Sequence, residues 1–526
     1  MLDLIRRHWL KFPILLGTIL LATESAIAED TDSNTQQHAI AQVTSVSQLS
    51  DVQPTDWAFQ ALQSLVERYG CIAGYPDGTF RGNRPLTRYE FAAGLNACLD
   101  RITELIDGDN GIGRDDLATI RRLQEEFQAE LATLRGRVDS LEARTAELEA
   151  NQFSTTTKLA GEVAFIASDT FGGDGTPDSD DDTQTVFQHK IRLQFITSFT
   201  GKDQLFTRLT TGNLGNSFAD EIGTNEGRYA FDGPGDNVLR LDRLHYVFPV
   251  TDNLTATIMA SLGGHHFYSD TLNPGLEAGG GATGALSRFA ERNPIYRIGL
   301  GGQGLGLTYQ LGNLFEITGG YLARGGNDPS EKAGLFNGNY SAFGQMVVKP
   351  SDDFKVGLTY VHGYDVGTGR RFALGGTGTD LANLQLGSLG VPDTAVSSNS
   401  YGIETSIRFG AHFTLGGWAG LTNARLIGLG ESEIWNYAVT ATFPDLGKEG
   451  NLAALIVGAE PYLTDLDVPG DPGFEDDVPL HVEGFYKWQM NDRISLTPGV
   501  IWLASPNQDS DNDDVFIGTL RTTFTF

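Results

Sequence analysis

Between residues 186 and 199 the chain reads VFQHKIRLQFITSF. Phe187, His189, Ile191, Leu193, Phe195 and Thr197 alternate with Gln188, Lys190, Arg192, Gln194 and Ile196. A period of two belongs to a β-strand, whose successive side chains point to opposite faces. One face is nearly all apolar, and the other carries charge that a soluble core could not keep. Such a strand fits between lipid and a wet lumen. Gly201-Lys202-Asp203 follows as a tight hairpin turn.

Sixteen further segments between 155 and 526 alternate in the same way, making seventeen. Single-chain bacterial barrels have an even number of strands. Segments 294–301 and 304–311 read as one misdivided strand, or one segment as a loop, so the expectation is sixteen. Stretches rich in Gly, Asp, Asn and Pro separate alternate strands at 169–184, 264–290, 365–398 and 463–479. Long loops at one end and short turns at the other is the outer-membrane pattern. The last strand places Phe516, Leu520, Phe524 and Phe526 on one face, and its terminal aromatic resembles the assembly signal of outer-membrane barrels.

The N-terminus is consistent with export. Arg6, Arg7 and Lys11 precede or open the apolar stretch FPILLGTILLA, and Ala26-Ile27-Ala28 gives a small-x-small cleavage pattern. Residues 1–28 therefore read as a signal peptide; an N-terminal anchor is the alternative, for which the apolar run is short. No later run of 18 apolar residues exists, so a membrane-bound form must be a barrel. The only cysteines, Cys71 and Cys98, would meet an oxidising compartment after export. They read either as a disulfide or as two small buried thiols.

Two other materials precede the strands. DWAFQALQSLVERYG has apolar residues at Trp57, Ala58, Ala61, Leu62 and Leu65, with Asp56 as N-cap and Gly70 as stop. A Pro-Asp-Gly turn follows, and Thr87 with Glu90 forms a capping box for a second helix. Residues 115–150 run in heptads, with a positions at Leu117, Gln124, Leu131, Val138 and Thr145. The d positions are Ile120, Phe127, Leu134, Leu141 and Leu148. This predicts a coiled coil about 54 Å long at roughly 1.5 Å per residue. Arg137, Val138, Leu141 and Glu142 occupy g, a, d and e. They resemble a trimer-favouring pattern in which Arg crosses the core edge to Glu, so a homotrimer is expected.

Residues 47–111 resemble the S-layer homology (SLH) domain. The resemblance rests on Leu49-Ser50-Asp51-Val52, Asp56-Trp57-Ala58, Gly74-Tyr75-Pro76-Asp77-Gly78-Thr79-Phe80 and Leu86-Thr87-Arg88-Tyr89-Glu90-Phe91-Ala92. It implies binding to peptidoglycan-linked polysaccharide, with Trp57, Asp77 and Arg88 as pocket residues. Trp can stack on a sugar face, Asp accepts from hydroxyls, and Arg forks onto a carboxylate. The plainer readings are a core Trp57, a turn-shaping Asp77, and Arg88 paired with Glu90. Tyr89 stands where the family usually has alanine.

An SLH module, a coiled coil and a C-terminal barrel in that order resemble the cyanobacterial outer-membrane porins, whose barrel is grouped with the carbohydrate-selective OprB family. The resemblance implies a mainly β chain: an antiparallel transmembrane β-barrel over 155–526, with the α-helical SLH domain and trimeric coiled coil in the periplasm. It further implies contact with outer-membrane lipid and lipopolysaccharide, and passive diffusion of small hydrophilic solutes and inorganic ions, iron among them in some members. A structural tether with a nearly closed barrel and a sugar-selective channel are the alternatives.

Composition agrees with a pore. The 37 basic and 67 acidic residues give a net charge of −30, which opposes a nucleic-acid partner and predicts some cation preference. Lys190, Arg192, Arg208, Arg240 and Arg243 are candidates for a basic strip facing acidic loops across a constriction; scattered side chains are the alternative. No P-loop, His-Glu-x-x-His or Gly-x-Ser-x-Gly motif is present, so neither an enzyme nor a cofactor is expected. GGQGLG at 301–306 runs into an alternating strand rather than a helix. His265-His266 reads as a loop at the aqueous end of a strand. Asp509, Asp511 and Asp513 lack the glycine and glutamate of a calcium loop, so no metal site is assigned.

Overall fold

The computed structural model describes residues 45–53, 59–68, 70, 79–80, 98, 156–172, 183–367 and 372–526. The chain divides into two compact units, 1–147 and 148–526. The signal peptide, the coiled coil with Arg137, Val138, Leu141 and Glu142, and Trp57, Asp77, Arg88 and Cys71 all lie outside the described residues.

In the first unit, helix α1 (Phe59–Gln63) widens into a π turn at Ser64–Arg68. Gly70 then takes a left-handed φ of 62°, the conformation expected of a helix stop. Val46, Leu62 and Val66 form a small core with Val52, Phe59 and Phe80 against it. Two carboxylates tie down the surrounding chain. Glu67 accepts from the Ser45 hydroxyl (2.6 Å) and the Val46 N–H (3.2 Å), and Asp51 accepts from the Phe80 N–H at 2.6 Å.

The second unit is a closed antiparallel barrel of sixteen strands in sequence order. They are β1 (Thr157–Gly172), β2 (Val186–Thr197), β3 (Gln204–Gly212), β4 (Arg240–Pro249), β5 (Leu254–Gly263), β6 (Gly302–Leu311), β7 (Phe315–Arg324) and β8 (Asn339–Ser351). Then come β9 (Phe354–Asp365), β10 (Val396–Arg408), β11 (Thr414–Leu426), β12 (Gly430–Pro444), β13 (Leu452–Asp467), β14 (Leu480–Asn491), β15 (Ile494–Ala504) and β16 (Val515–Thr525). Closure runs from Glu162 opposite Thr525 to Gly172 opposite Val515. The final residue extends the ladder: Gly161 N donates to Phe526 O (2.7 Å), and Phe526 N to Gly161 O (3.0 Å). Closure leaves no strand edge unpaired, which a bilayer requires.

The alternation is visible as burial. On β16, Val515, Ile517, Thr519, Arg521 and Thr523 point inward and are buried, whereas Phe516, Leu520 and Phe526 are exposed on the outer face. Outer-face rings cluster at both ends of the wall, as membrane girdles do. Trp502 stacks on Phe516 at 5.8 Å at one end, and Phe413 on Phe443 at 5.1 Å at the other.

At the end shared by both barrel termini the connections are tight turns. Asp203 organises the first of them. Its carboxylate accepts from Thr200 N (2.7 Å), Phe199 N (3.1 Å), the Thr200 hydroxyl (2.6 Å) and Tyr246 Oη (2.9 Å). At the other end lie L2 (213–239), L3 (264–301), L4 (325–338), L5 (366–395), L7 (468–479) and L8 (505–514). The β1–β2 connection, 173–185, lies at this end too and is only partly among the described residues, while 427–429 is only three residues long and turns at Gly428 with φ 85°. Not every outer connection is therefore a long loop.

Of the seventeen alternating segments, 294–301 is the one that is loop, which leaves the sixteen strands expected. Residues 294–301 form a buried turn at Pro294–Arg297 and the end of L3. Ile295, Tyr296 and Ile298 are apolar because they pack inside the lumen with Phe343 and Val361, not because they face lipid. The apolar run resembled a strand for that reason.

Candidate functional site

L3 leaves the wall after β5, crosses the lumen and returns to β6. Its neck is set by His265, whose Nδ1 pairs with Tyr268 Oη (2.5 Å) and Nε2 with Ser341 Oγ (2.8 Å). His265 is in a loop, as expected, but it is buried rather than aqueous. Burial pushes its imidazole down to about 3, because a charged ring there would lose its hydration.

Bare patches of wall receive the loop. A Cβ at Gly306 or Gly320 would overlap the Tyr268 ring, and one at Gly499 would overlap Leu286. At Gly402 it would meet Ile295 and Asn293, and at Gly420 the Asn293 side-chain oxygen at 2.9 Å. These inward positions are glycine because the loop's side chains occupy the space that a wall side chain would fill.

Carboxylates on the wall then grip L3, two of them by its backbone and one by a side chain. Glu483 on β14 accepts from Leu286 N and Ser287 N, both at 2.8 Å. Glu162 on β1 accepts from Ala282 N at 2.9 Å, and Glu404 on β10 from Asn293 Nδ2 at 2.8 Å. Arg521 on β16 donates to Gly284 O (2.8 Å) and Ala285 O (3.1 Å) while lying 4.8 Å from the Phe231 ring of L2. An unsatisfied buried peptide group costs about 1–3 kcal/mol, so each grip fixes the path of the loop.

The grips are linked. His481 on β14 lies 3.0 Å from Glu460 through Nδ1 and 3.7 Å from Glu483 through Nε2. Glu460 in turn accepts from Gly378 N of L5 at 2.8 Å. L3 and L5 are thus held by neighbouring members of one polar chain. L2 adds a third layer: Ala230 N donates to Leu286 O (2.7 Å), and Arg288 N to Arg228 O (2.9 Å).

Within L3 the charges alternate. Arg292 pairs bidentately with Glu277 and lies 3.0 Å from Glu291, which also meets Arg297 at 2.9 Å. Burial opposes the Glu291 charge, but Arg292 and Arg297 outweigh it and hold its carboxyl below the usual range. Asp232 of L2 joins Arg228 and Arg288, each at 2.6 Å.

The basic candidates divide by position. Lys190, Arg192, Arg208 and Arg243 share the inward face of β2–β4, with Lys190 opposite Gly212, Arg192 opposite Thr210 and Arg208 opposite Arg243. Lys190 is buried and donates to Asp232 O (2.7 Å) and Gly280 O (3.2 Å), so it fastens L2 and L3. Arg192 reaches Gly279 O (3.2 Å) and lies 3.7 Å from Glu162. Arg208 pairs with Asp242 at 2.7 Å. Arg243 lies 4.2 Å from the Phe206 ring and 4.5 Å from that of Phe267. Arg240 stands apart: it is exposed at the loop end of β4 and pairs with Asp236 at 2.7 Å.

Below L3, toward the tight turns, a cavity of about 640 Å³ opens between Thr283 of L3 and the ends of β14 and β16; Lys487 and Arg493 are in its lining. Above, a cavity of about 490 Å³ lies among L5, L7 and L8. Among the described residues no cluster of three or more His, Cys, Asp or Glu is placed to hold a metal, and Asp511 and Asp513 of L8 are exposed. No described helix is long and apolar enough to cross a membrane; the barrel crosses with strands.

A sixteen-strand wall with an inward-folded third loop is a porin architecture, and comparison with known families decides which. The model of the carbohydrate-selective porin family OprB matches residues 114–526. The chain belongs to the OprB porin family. The SLH domain model matches 48–92. An uncharacterized protein of Nostoc sp. is 47% identical over 534 residues, covering 96% of this chain and 91% of that protein. One from Synechocystis sp. is 40% identical over 515 residues, covering 93% and 92%. The outer membrane protein SlpA of Deinococcus radiodurans is 43% identical over 100 residues, 19% of this chain and 8% of that protein. The high-pH structure of Pseudomonas putida OprB covers 74% of this chain and 97% of its own at 14% identity, with a TM-score of 0.49. The chain is an outer-membrane porin of the OprB family with an SLH domain.

The glycine patches and the grips at Glu483, Glu404 and Arg521 escaped sequence reasoning. Alternation marks 483, 404 and 521 as inward positions. Their partners come from a loop 111 to 237 residues away in sequence, for example Glu483 with Leu286, and no local pattern reports that.

Proposed function

We propose that this OprB-family porin passes small hydrophilic solutes and inorganic ions, iron among them, by diffusion beside L3. Its SLH domain holds peptidoglycan-linked polysaccharide, and three chains assemble through the coiled coil. The observation that carries the pore reading is the placement of L3 anchors. Backbone grips hold the loop to β1, β2, β14 and β16, and Glu404 on β10 holds its Asn293 side chain. Arg192 and Arg243 on the β2–β4 arc remain only partly buried. Solutes pass along that arc, where fixed charge acts on an ion at close range. Three linked heads would raise wall affinity through effective concentration.

Swelling of proteoliposomes in isotonic sugars and salts tests this reading. Swelling in both supports a general pore. Swelling confined to sugars would favour the sugar-selective alternative, and none in either would favour the tether. One observation supports the tether: Tyr229, Phe289, Tyr296 and Phe372, from L2, L3 and L5, are all buried inside the wall. For the head, Arg88→Ala should weaken co-sedimentation with glycan-bearing sacculi. Unchanged sedimentation of a folded variant removes Arg88 from the site.

A further inference from the structure

L4 behaves unlike L2, L3 and L5: it folds outward. Helix α2 (Gly334–Asn337) sits against the outer face of β7. Tyr321 on that face donates its hydroxyl to Leu335 O at 2.6 Å, and the Phe336 ring lies 6.0 Å from that of Tyr321. Tyr321 stacks on Tyr340 at 5.7 Å, and Tyr340 on Tyr364 at 5.8 Å. The alternation fixes these tyrosines as outward. Their neighbours Leu322 and Phe343 point in and join the buried lumen cluster, and Ile317, four residues before Tyr321 on the same face, is exposed.

The three tyrosines form an aromatic row at the loop end of β7–β9, the level at which a barrel meets the lipid headgroups. L4 continues that row with two further apolar side chains. Phe336 is 85% exposed and Leu335 44% exposed, and the Tyr321 bond sets the backbone that presents them. Two large apolar side chains held on the lipid side of a membrane wall have the acyl region as their natural surroundings.

We infer that Leu335 and Phe336 are a lipid-inserted foot, which anchors L4 in the outer leaflet at the aromatic girdle. The occupant of this patch is acyl chain, reached from the barrel's outer face. L4 is consequently drawn away from the mouth while L2, L3 and L5 fill it. The inference requires only that the barrel sits in a bilayer, and it holds whether or not solute conducts.

The test is nitroxide depth measurement on the full chain in dimyristoylphosphatidylcholine vesicles. Phe336→Cys is made in a Cys71→Ser, Cys98→Ser background, with Asn327→Cys, at an exposed position of L4, as the aqueous reference. Folding is checked by heat-modifiable migration. The label at 336 should collide more with oxygen than with a water-soluble nickel chelate, and the label at 327 the reverse. Greater nickel access at 336 would overturn the inference. So would low access to both reagents with dipolar broadening between labels, since a second copy of the chain would then cover the patch. Leu335→Cys supplies an independent label if Phe336→Cys does not fold.

Discussion

Two arcs of the same inner wall meet L3 with different chemistry. The arc through β10, β14 and β16 offers glycines and buried groups that grip the loop, as Glu483 does with two N–H donors. The arc through β2–β4 offers cations, and these meet carbonyls, a carboxylate or aromatic rings, as Arg243 meets Phe206 and Phe267. A carboxylate that satisfies peptide N–H groups fixes a backbone, because its removal strands buried donors. A guanidinium between rings fixes little, and its charge stays available to a passing ion. On the proposed reading, the first arc positions L3 and the partly buried cations of the second act on an ion that passes beside it.

The largest expected effect comes from breaking the gripping arc. Glu483→Ala strands the Leu286 and Ser287 N–H groups and removes a carboxylate beside His481. The cost should be about 3–5 kcal/mol, typical of breaking a buried charged pair. It should appear as a lower unfolding temperature in heat-modifiable electrophoresis and as larger, noisier current steps. Unaltered steps would show that Glu483 does not hold the constriction.

Filling a cradle should do less. Gly306→Val intrudes on the Tyr268 ring at the neck of L3. Overpacking of this kind costs about 1–3 kcal/mol, with L3 displaced but its tip still gripped. Limited proteolysis of folded protein should show faster cleavage within L3 than in wild type. Wild-type cleavage rates would mean that the neck has room to spare.

The β2–β4 arc was more legible in the sequence than the gripping arc. Strict alternation in VFQHKIRLQFITSF places Lys190 and Arg192 inward by inspection, and the terminal Phe524 and Phe526 mark the closing strand. The grips were illegible because each joins residues remote in sequence. The cradling glycines were illegible because a glycine under a loop looks like one in a turn. Segment 294–301 could not be told from a strand by pattern alone for a related reason: Ile295 and Tyr296 are buried by the lumen's own packing, and apolarity alone does not reveal which side of a wall it faces.

The cationic arc should respond in selectivity rather than stability. Arg192→Gln with Arg243→Gln should raise the cation-to-anion permeability ratio, read as a shift in reversal potential across a salt gradient. The unfolding temperature should move little. The wild-type reversal potential tests the cation preference that the net charge of −30 predicts; clear anion selectivity would refute it and point to the arc instead.

The smallest effect lies at the tight-turn end. The Thr200 hydroxyl leads the donors that hold the Asp203 carboxyl below its usual range, against the opposing effect of burial. A depressed carboxylate contributes its stability above the ordinary Asp pKa and loses it as pH falls through the folded value. Asp203→Asn should therefore reduce stability modestly at neutral pH and less at low pH, in parallel melts of the two proteins. A pH-independent difference would contradict the assignment.

Single-channel recording of folded wild-type protein in planar bilayers shows whether the barrel conducts past L3. A barrel whose third loop is pinned to the wall at β1, β2, β10, β14 and β16 should give discrete, reproducible conductance steps that persist at low voltage. Correctly folded protein that inserts and yet carries no current would contradict the pore, and would leave a wall-binding tether closed by its own loops.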